Sequence, residues 1–164
     1  DGTEKQAEVV AVDPAVDIAL MKIRSDAPLP YLKLAPADLP NAGAPCMVLG
    51  YPVASLLDYQ MQVTSGEVTA ASALEEYQVT LTANTTFGNS GGPIIDRDGN
   101  VIGVLSAGTM APNVTYLKAL SSKQIRDFLR PPGVPGLDPA WTISHGVPSP
   151  PRPRPSRWSR SSGS

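Results

Sequence analysis

Cysteine and histidine are the scarcest chemically active residues in this sequence of 164 residues, with one of each. A single cysteine, Cys46, excludes an internal disulfide framework, and no Cys/His cluster has the spacing of a zinc site. Because Cys46 lies in an apolar segment, we interpret it as a small buried hydrophobic residue rather than a reactive nucleophile. Any mechanism that needs a histidine must use His145 or obtain one from elsewhere. We expect no metal ion and no organic cofactor.

Long apolar runs and a strong charge of one sign are also missing. No run approaches the roughly 20 apolar residues that cross a bilayer as a helix, so we expect no membrane span. The formal charge of −2 provides no basic field for binding nucleic acid. The chain begins at Asp1 with neither a start methionine nor an apolar signal sequence, so we expect it to be a piece of a longer protein.

The composition changes near residue 131. Half of the 18 prolines lie in the segment 131–164, together with four arginines and many serines. Such a segment buries too little apolar area to offset the entropy of ordering its backbone. We predict a disordered, partly polyproline-II tail over 131–164. The tail is either a plain linker or extension, or a ligand for the aromatic groove of a partner protein.

The first 130 residues are predicted to be mostly β. Residues 77–83 alternate cleanly, which places Tyr77, Val79, Leu81 and Ala83 on one buried face. An Asp-Gly pair at 98–99 favours a tight hairpin turn. Further short apolar strands are predicted at 9–12, 18–23, 46–50, 60–69, 94–95 and 101–107.

One helix is predicted, beginning at Ser121 or Ser122. Ser121 and Gln124 have the spacing of a capping box, and Pro131 and Pro132 end the helix. Several short strands with frequent glycine and proline turns, followed by one terminal helix, are typical of an all-β barrel or sandwich.

One motif carries most of the chemical information: the six residues from Gly88 to Pro93, Gly-Asn-Ser-Gly-Gly-Pro. Gly88 lets the backbone turn so that its own amide and that of Ser90 can converge where an oxyanion would develop. Gly91 and Gly92 leave room beside the Ser90 hydroxyl for a substrate carbonyl and a general base. The alternative is a purely structural role, in which the motif is a glycine-rich turn between strands and Ser90 caps that turn.

This motif, taken together with residues 103–108, resembles the nucleophile region of trypsin-like serine peptidases. The bacterial HtrA/Do-like branch is the most similar, because its motif commonly has asparagine before the serine. Residues 13–23 resemble the segment that carries the family's triad aspartate, which corresponds to Asp17. Weaker similarities occur at 50–52 and 63–68, so the resemblance spans roughly residues 1–130.

The resemblance implies a trypsin-like double β-barrel fold, truncated at its N-terminal side. Residues 1–34 would be the remnant of the first barrel with the triad aspartate. Residues 35–130 would form the complete second barrel with the nucleophile and the terminal helix, followed by the tail at 131–164. The parent protein would be exported or periplasmic and of bacterial type, because peptidases of this branch usually act outside the cytoplasm.

The resemblance also assigns roles to individual residues. Ser90 would be the nucleophile, Asp17 would orient a histidine, and the amides of Gly88 and Ser90 would form the oxyanion hole. Asn84 would lie at the base of the specificity pocket and, being uncharged, would favour small or medium uncharged residues on the acyl side of the cut. Beside it would lie the remaining substrate-binding residues, Thr85, Thr86, Phe87, Ser106, Ala107 and Gly108. Without the resemblance, the alternative is that Asp17 is a turn residue before a buried strand.

The histidine is where this sequence departs from the family. No histidine precedes Asp17, as the family requires, and His145 follows Ser90 by 55 residues in the proline-rich tail. We therefore predict a serine endopeptidase that acts on polypeptides but is inactive as this chain alone. The alternative is a non-catalytic pseudopeptidase or interaction module.

An α/β-hydrolase-type esterase is the remaining alternative. The motif also satisfies Gly-x-Ser-x-Gly, and Ser90, Asp138 and His145 have the triad order of those enzymes. Their nucleophile elbow, however, opens a helix directly after the serine. Gly91-Gly92-Pro93 followed by two isoleucines favours a strand there instead.

Overall fold

The computed structural model of the chain describes residues 4–36, 38–52, 61–76, 78–85, 88–111 and 114–130. The tail predicted for 131–164, with His145, lies outside these residues, as do Tyr77, Thr86 and Phe87. None of the helical segments in these ranges has the length and the apolar content that a membrane span requires.

Strands dominate the described part of the chain, and one short helix follows them. The first two strands form a separate pair, β1 Ala7–Asp13 and β2 Ile18–Ile23. The other elements are β3 Pro45–Gly50, β4 Gln62–Ala71, β5 Val79–Ala83, β6 Pro93–Ile95, β7 Val101–Ala111, β8 Val114–Ser121 and α1 Ser122–Leu129.

Six of the strands close into a barrel in the order β3-β4-β5-β8-β7-β6. Every pairing is antiparallel, and β3 closes the ring by pairing with β6 through Met47 with Ile95 and Val48 with Ile94. Closure leaves no unpaired edge strand in the barrel. The predicted all-β barrel of trypsin-like type with a terminal helix is confirmed.

The barrel core follows the period-two alternation of the strands. Val79, Leu81 and Ala83 in β5 are buried, as the sequence pattern predicts, while the residues between them are half-buried. Ala35, which lies between β2 and β3, belongs to the same core. Inward-facing positions of the other strands complete it with Cys46, Val48, Val68, Ile94, Ile102, Leu105, Leu117 and Ala119. Apolar side chains at alternate positions thus fill the barrel interior.

Strand β8 has no counterpart among the predicted strands. Two residues of types that favour turns, Pro112 and Asn113, precede it directly in the sequence. A local interpretation of this region therefore favours a turn over a strand. The strand instead depends on its neighbours in space, because it pairs with β5 on one side and with β7 on the other. Tertiary pairing overrides the weak local signal here.

Helix α1 begins as predicted. The Ser121 hydroxyl accepts from the Gln124 amide at 3.1 Å, and the Gln124 side chain accepts from the Ser121 amide at 2.9 Å. This reciprocal capping box satisfies two amides that the first turn leaves without helical partners. Ile125 and Phe128 are buried and fix the helix against the barrel.

A connector, residues 24–36, joins the β1–β2 hairpin to the barrel. Its end pairs with β7, because the Ala35 amide donates to the Val101 carbonyl at 2.8 Å and the Val101 amide donates to the Lys33 carbonyl at 2.7 Å. From the helix, the Arg126 guanidinium donates to the carbonyls of Leu34 and Ala35 at 2.7–3.2 Å. The connector is therefore anchored from two sides.

The β1–β2 hairpin carries exposed apolar side chains, among them Val9, Val12, Met21 and Ile23. The two strands pair antiparallel with a bulge between Val9 and Ala11. A two-stranded sheet is marginally stable in water by itself. Its position therefore depends on the connector and on contacts near the turn at 14–17.

The stability of the barrel should depend on pH through Cys46. Burial, with a smaller contribution from the negative charge of Glu67, raises the pKa of the Cys46 thiol from 9.0 to about 11. Because the folded state holds this proton more tightly than the unfolded state, the stabilisation is fully present below about pH 9 and is lost as the pH rises toward 11. We expect the free energy of unfolding to fall by about 1–2 kcal/mol across that interval.

Urea unfolding of the chain and of Cys46→Ala, at a series of pH values, measures this effect. The difference between their free energies of unfolding cancels the contribution of the tyrosines, which both proteins contain. This difference should shrink above pH 9. A difference that stays constant from pH 8 to 11 would contradict the assignment.

Candidate active site

The turn that carries Ser90 connects β5 to β6 and is shaped by glycines. Gly88 and Gly91 have φ angles of 101° and 83°, which lie in the left-handed region that side chains disfavour. The Gly91 amide donates to the Leu105 carbonyl at 2.7 Å, and the Leu105 amide donates to the Gly92 carbonyl at 3.0 Å. Strand β7 thus holds the turn and leaves Ser90 exposed.

The end of strand β3 lies directly against this turn. A Cβ atom at Gly50 would overlap the Asn89 Oδ1 atom, and a Cβ at Gly92 would overlap the Leu49 carbonyl oxygen. Asn89 is only 5% exposed, so its side chain fills the space that Gly50 leaves. Glycine is therefore needed at both positions for the two segments to approach this closely.

Strand β6 follows the turn at Pro93–Ile95. The nucleophile elbow of an α/β-hydrolase would place a helix there. The strand agrees with the expectation drawn from Gly91-Gly92-Pro93 and leaves no such elbow at Ser90.

Asp17 lies at the end of the hairpin turn and faces the barrel. Its φ of 56° is left-handed, a conformation that aspartate tolerates better than most residues. The Ser106 hydroxyl, on strand β7, donates to Asp17 Oδ2 at 2.5 Å. Hydrogen bonds to a carboxylate are short and stronger than neutral ones, so Ser106 fixes the orientation of this side chain.

The resemblance implies a place for Ser106 in the wall of a substrate pocket, and no local pattern indicates a contact between Ser106 and Asp17. The two residues are 89 positions apart in the chain. The sequence signal for this contact is limited to a serine on a strand near the nucleophile turn, and such a serine does not specify its hydrogen-bond partner.

A cavity of about 280 Å³ lies between Asp17 and Ser90. Gly91, Val104, Leu105 and Ser106 contribute to its lining. Engineered cavities of about 150 Å³ hold a benzene ring, so this space accommodates an imidazole. The structure therefore brings together three predicted site residues, Ser90, Asp17 and Ser106, around a space of the size that a histidine side chain needs.

A serine hydroxyl is a weak nucleophile until an adjacent base removes its proton. An imidazole between the two groups could accept that proton on one nitrogen and donate from the other to the carboxylate. The one histidine of the sequence, His145, is outside the described residues. Across the described ranges, no group of three or more His, Cys, Asp or Glu residues could hold a metal ion.

The predicted specificity residues are only partly described. Asn84 is exposed and Thr85 is half-buried, and neither lines the cavity between Asp17 and Ser90. Thr86 and Phe87 lie outside the described residues. In β7, Ala107 is half-buried and Gly108 is exposed.

Comparison with known proteins gives a consistent result. Residues 1–104 match the model of the trypsin-like peptidase domain family. The mitochondrial serine protease HTRA2 of Bos taurus is 36% identical over 138 residues, and a probable periplasmic serine endoprotease, DegP-like, of Chlamydia pneumoniae is 34% identical over 113 residues. The active form of the Rv3671c protease from M. tuberculosis superposes with a TM-score of 0.62 at 27% identity.

These matches cover most of this chain but only part of each relative. The bovine match includes 78% of this chain and 28% of the relative, and the chlamydial match includes 65% and 22%. The structural match covers 76% of this chain and 57% of the Rv3671c protease. The chain thus spans about a quarter of the length of these two curated relatives.

Substitution of Gly50 should disturb the nucleophile turn. In Gly50→Ala, the new methyl group would overlap the Asn89 amide, whose Cγ lies 2.9 Å from the Cβ position. Since Asn89 is buried, we expect a loss of about 1–3 kcal/mol in the free energy of unfolding, the usual cost of overpacking.

Urea unfolding measures this loss, and Gly108→Ala provides the matched control. There the nearest atom is the flexible end of Leu117, at 3.3 Å, so the change should stay within about 1 kcal/mol. Equal stabilities for the two variants would show that the close approach at Gly50 does not constrain the turn.

Proposed function

The chain belongs to the trypsin-like peptidase family, and from that premise we propose that Ser90 is the nucleophile of a serine endopeptidase. Ser90 would attack the carbonyl of a peptide bond and form an acyl-enzyme that water then hydrolyses. Asp17 would hold the base in its correct tautomer and stabilise its protonated form. The amides of Gly88 and Ser90 would stabilise the oxyanion.

The observation that carries this proposal is the cavity between Asp17 and Ser90. A carboxylate, itself oriented by Ser106, and a serine hydroxyl face one space of about 280 Å³. A purely structural turn would have no need to keep a carboxylate and a hydroxyl on opposite sides of a space of this size. The names of the matched relatives, which are serine proteases, support the same chemistry.

The histidine must come from outside the described residues. We propose that the chain as given is inactive, because its only histidine lies at position 145 in the tail. Loss of one triad member costs up to about 10⁶-fold in turnover. The same observation favours the alternative, a non-catalytic module that keeps the barrel to bind polypeptides. Chemical labelling of Ser90 separates the two functions.

Fluorophosphonate labelling of Ser90 tests the catalytic proposal. The full chain should not label measurably by itself, and added imidazole should restore labelling by entering the cavity beside Asp17. The rate of labelling with imidazole present should increase between about pH 6 and 8, because the imidazole ring loses its proton in this range. Ser90→Ala should not label under any condition, and Asp17→Asn should lose most of the imidazole effect.

Two results would contradict this account. Rapid labelling without imidazole, abolished in His145→Ala, would show that the tail provides the base. No labelling at any imidazole concentration, in a chain that still binds peptides, would favour the non-catalytic module.

We also propose that Asn84 sets specificity on the acyl side of the cut. Its uncharged amide provides no ion pair for Arg or Lys, so small or medium uncharged residues should be preferred.

Asn84→Asp should raise the affinity for a peptide with arginine before the scissile bond by about tenfold, relative to one with valine, as expected for a new charged hydrogen bond. Fluorescence anisotropy on Ser90→Ala measures both affinities, and Asn84→Ser, which adds no charge, should leave their ratio unchanged. If Asn84→Asp left the ratio of the two peptide affinities unchanged, Asn84 would lie outside the pocket.

A further inference from the structure

A second cavity, of about 430 Å³, adjoins Ser90. Among their described lining residues, the two cavities share only Ser90 and Gly91. The nucleophile therefore lies at the junction between the cavity beside Asp17 and this second space. The second cavity is bounded by the nucleophile turn and by the end of β3.

Three of the large apolar side chains that line the second cavity are exposed, and we call them the apolar recess: Leu32, Tyr51 and Met61. They come from three separate parts of the chain, namely the connector, the residue after β3 and the residue before β4. They are 46%, 59% and 53% exposed, respectively. None of the described residues that line the cavity is charged. Exposed apolar side chains gathered beside a reactive group are typical of a binding site.

The position of the recess indicates which part of a polypeptide would occupy it. The acyl side of the cut is assigned to residues 84–87 and to 106–108 in β7. Of these, the described residues 84, 85 and 106–108 do not line the second cavity. A substrate that runs along β7 on one side of Ser90 must leave the nucleophile on its other side. The end of β3 and the recess border Ser90 through the second cavity, whose described lining includes no residue of β7.

Resting on the proposed peptidase chemistry, we propose that the apolar recess binds large uncharged side chains on the leaving-group side of the scissile bond. Leu32, Tyr51 and Met61 then determine specificity for residues that follow the cut, separately from Asn84. Contact with a large side chain would cover apolar surface that is now exposed to water, which is favourable. An acidic side chain would lose its hydration without gaining a cation.

Peptide binding to the full chain tests the proposal, because it does not require catalysis. The probes are blocked peptides of the form Ala-Ala-Val-X-X-Ala, in which X is Phe, Gly or Asp. Methionine methyl groups labelled with ¹³C report on binding by NMR, and Met61→Gln identifies the Met61 signal among those of the four methionines. We expect about tenfold tighter binding for Phe than for Gly, no gain for Asp, and a shift of the Met61 signal while that of Met21 in the hairpin stays unchanged.

A matched pair of variants isolates the recess. Met61 and Val63 are both 53% exposed, lie two residues apart, and differ in that Val63 does not line the cavity. Met61→Gln should reduce the preference for Phe over Gly to less than about threefold, whereas Val63→Gln should keep it at about tenfold.

The outcomes separate this proposal from the proposed function. Equal binding of the Phe and Gly peptides, or a preference that survives Met61→Gln, would overturn the recess and leave the chemistry at Ser90 untouched. A preference that depends on Met61, in a chain whose Ser90 never labels with imidazole present, would keep the recess and reject the catalysis. If no peptide binds, the proposed role of the recess is wrong, and so is the hypothesis that the face around Ser90 binds polypeptides.

Discussion

The close approach of strand β3 to the turn that carries Ser90 is the constraint on which the site depends. Neither Gly50 nor Gly92 could carry a side chain without overlapping the opposite segment. The buried Asn89 occupies the space that Gly50 leaves, and this contact supports the backbone on which Ser90 lies. The same contact brings the end of β3 beside the nucleophile, so it also creates one wall of the second cavity.

The two halves of the candidate site rest on different kinds of interaction. Ser90 lies on a barrel that is closed by hydrogen bonds between all six strands and filled with apolar side chains. Asp17 lies on a two-stranded hairpin whose larger apolar side chains are mostly exposed. Its carboxylate accepts a hydrogen bond from Ser106, while the connector that follows the hairpin is anchored by Arg126 and by β7. The nucleophile is therefore part of the rigid framework, whereas the acid is held by a few polar contacts that add little burial.

The features that could be predicted from the sequence are those that depend on residues close together in the chain. The Ser90 motif, the alternation in β5 and the capping box at Ser121 are each contained in a few consecutive positions, and the structure has all three features. The hydrogen bond from Ser106 to Asp17, strand β8 and the convergence of Leu32, Tyr51 and Met61 depend on segments that meet only in the folded chain. No local pattern specifies such meetings, so the shape of the site had to come from the structure.

The anchoring of the connector by Arg126 also sets the order in which the site can form during synthesis. The ribosome makes the hairpin and Asp17 before the barrel, and the serine that orients this carboxylate comes 89 residues after Asp17. The arginine that fixes the connector comes later still, 91 residues after Ala35. Domains fold as units while chains are made from the N-terminus. The growing chain therefore carries Asp17 long before the Ser106 hydroxyl can orient its carboxylate, and the connector is anchored by Arg126 only after α1 has been made.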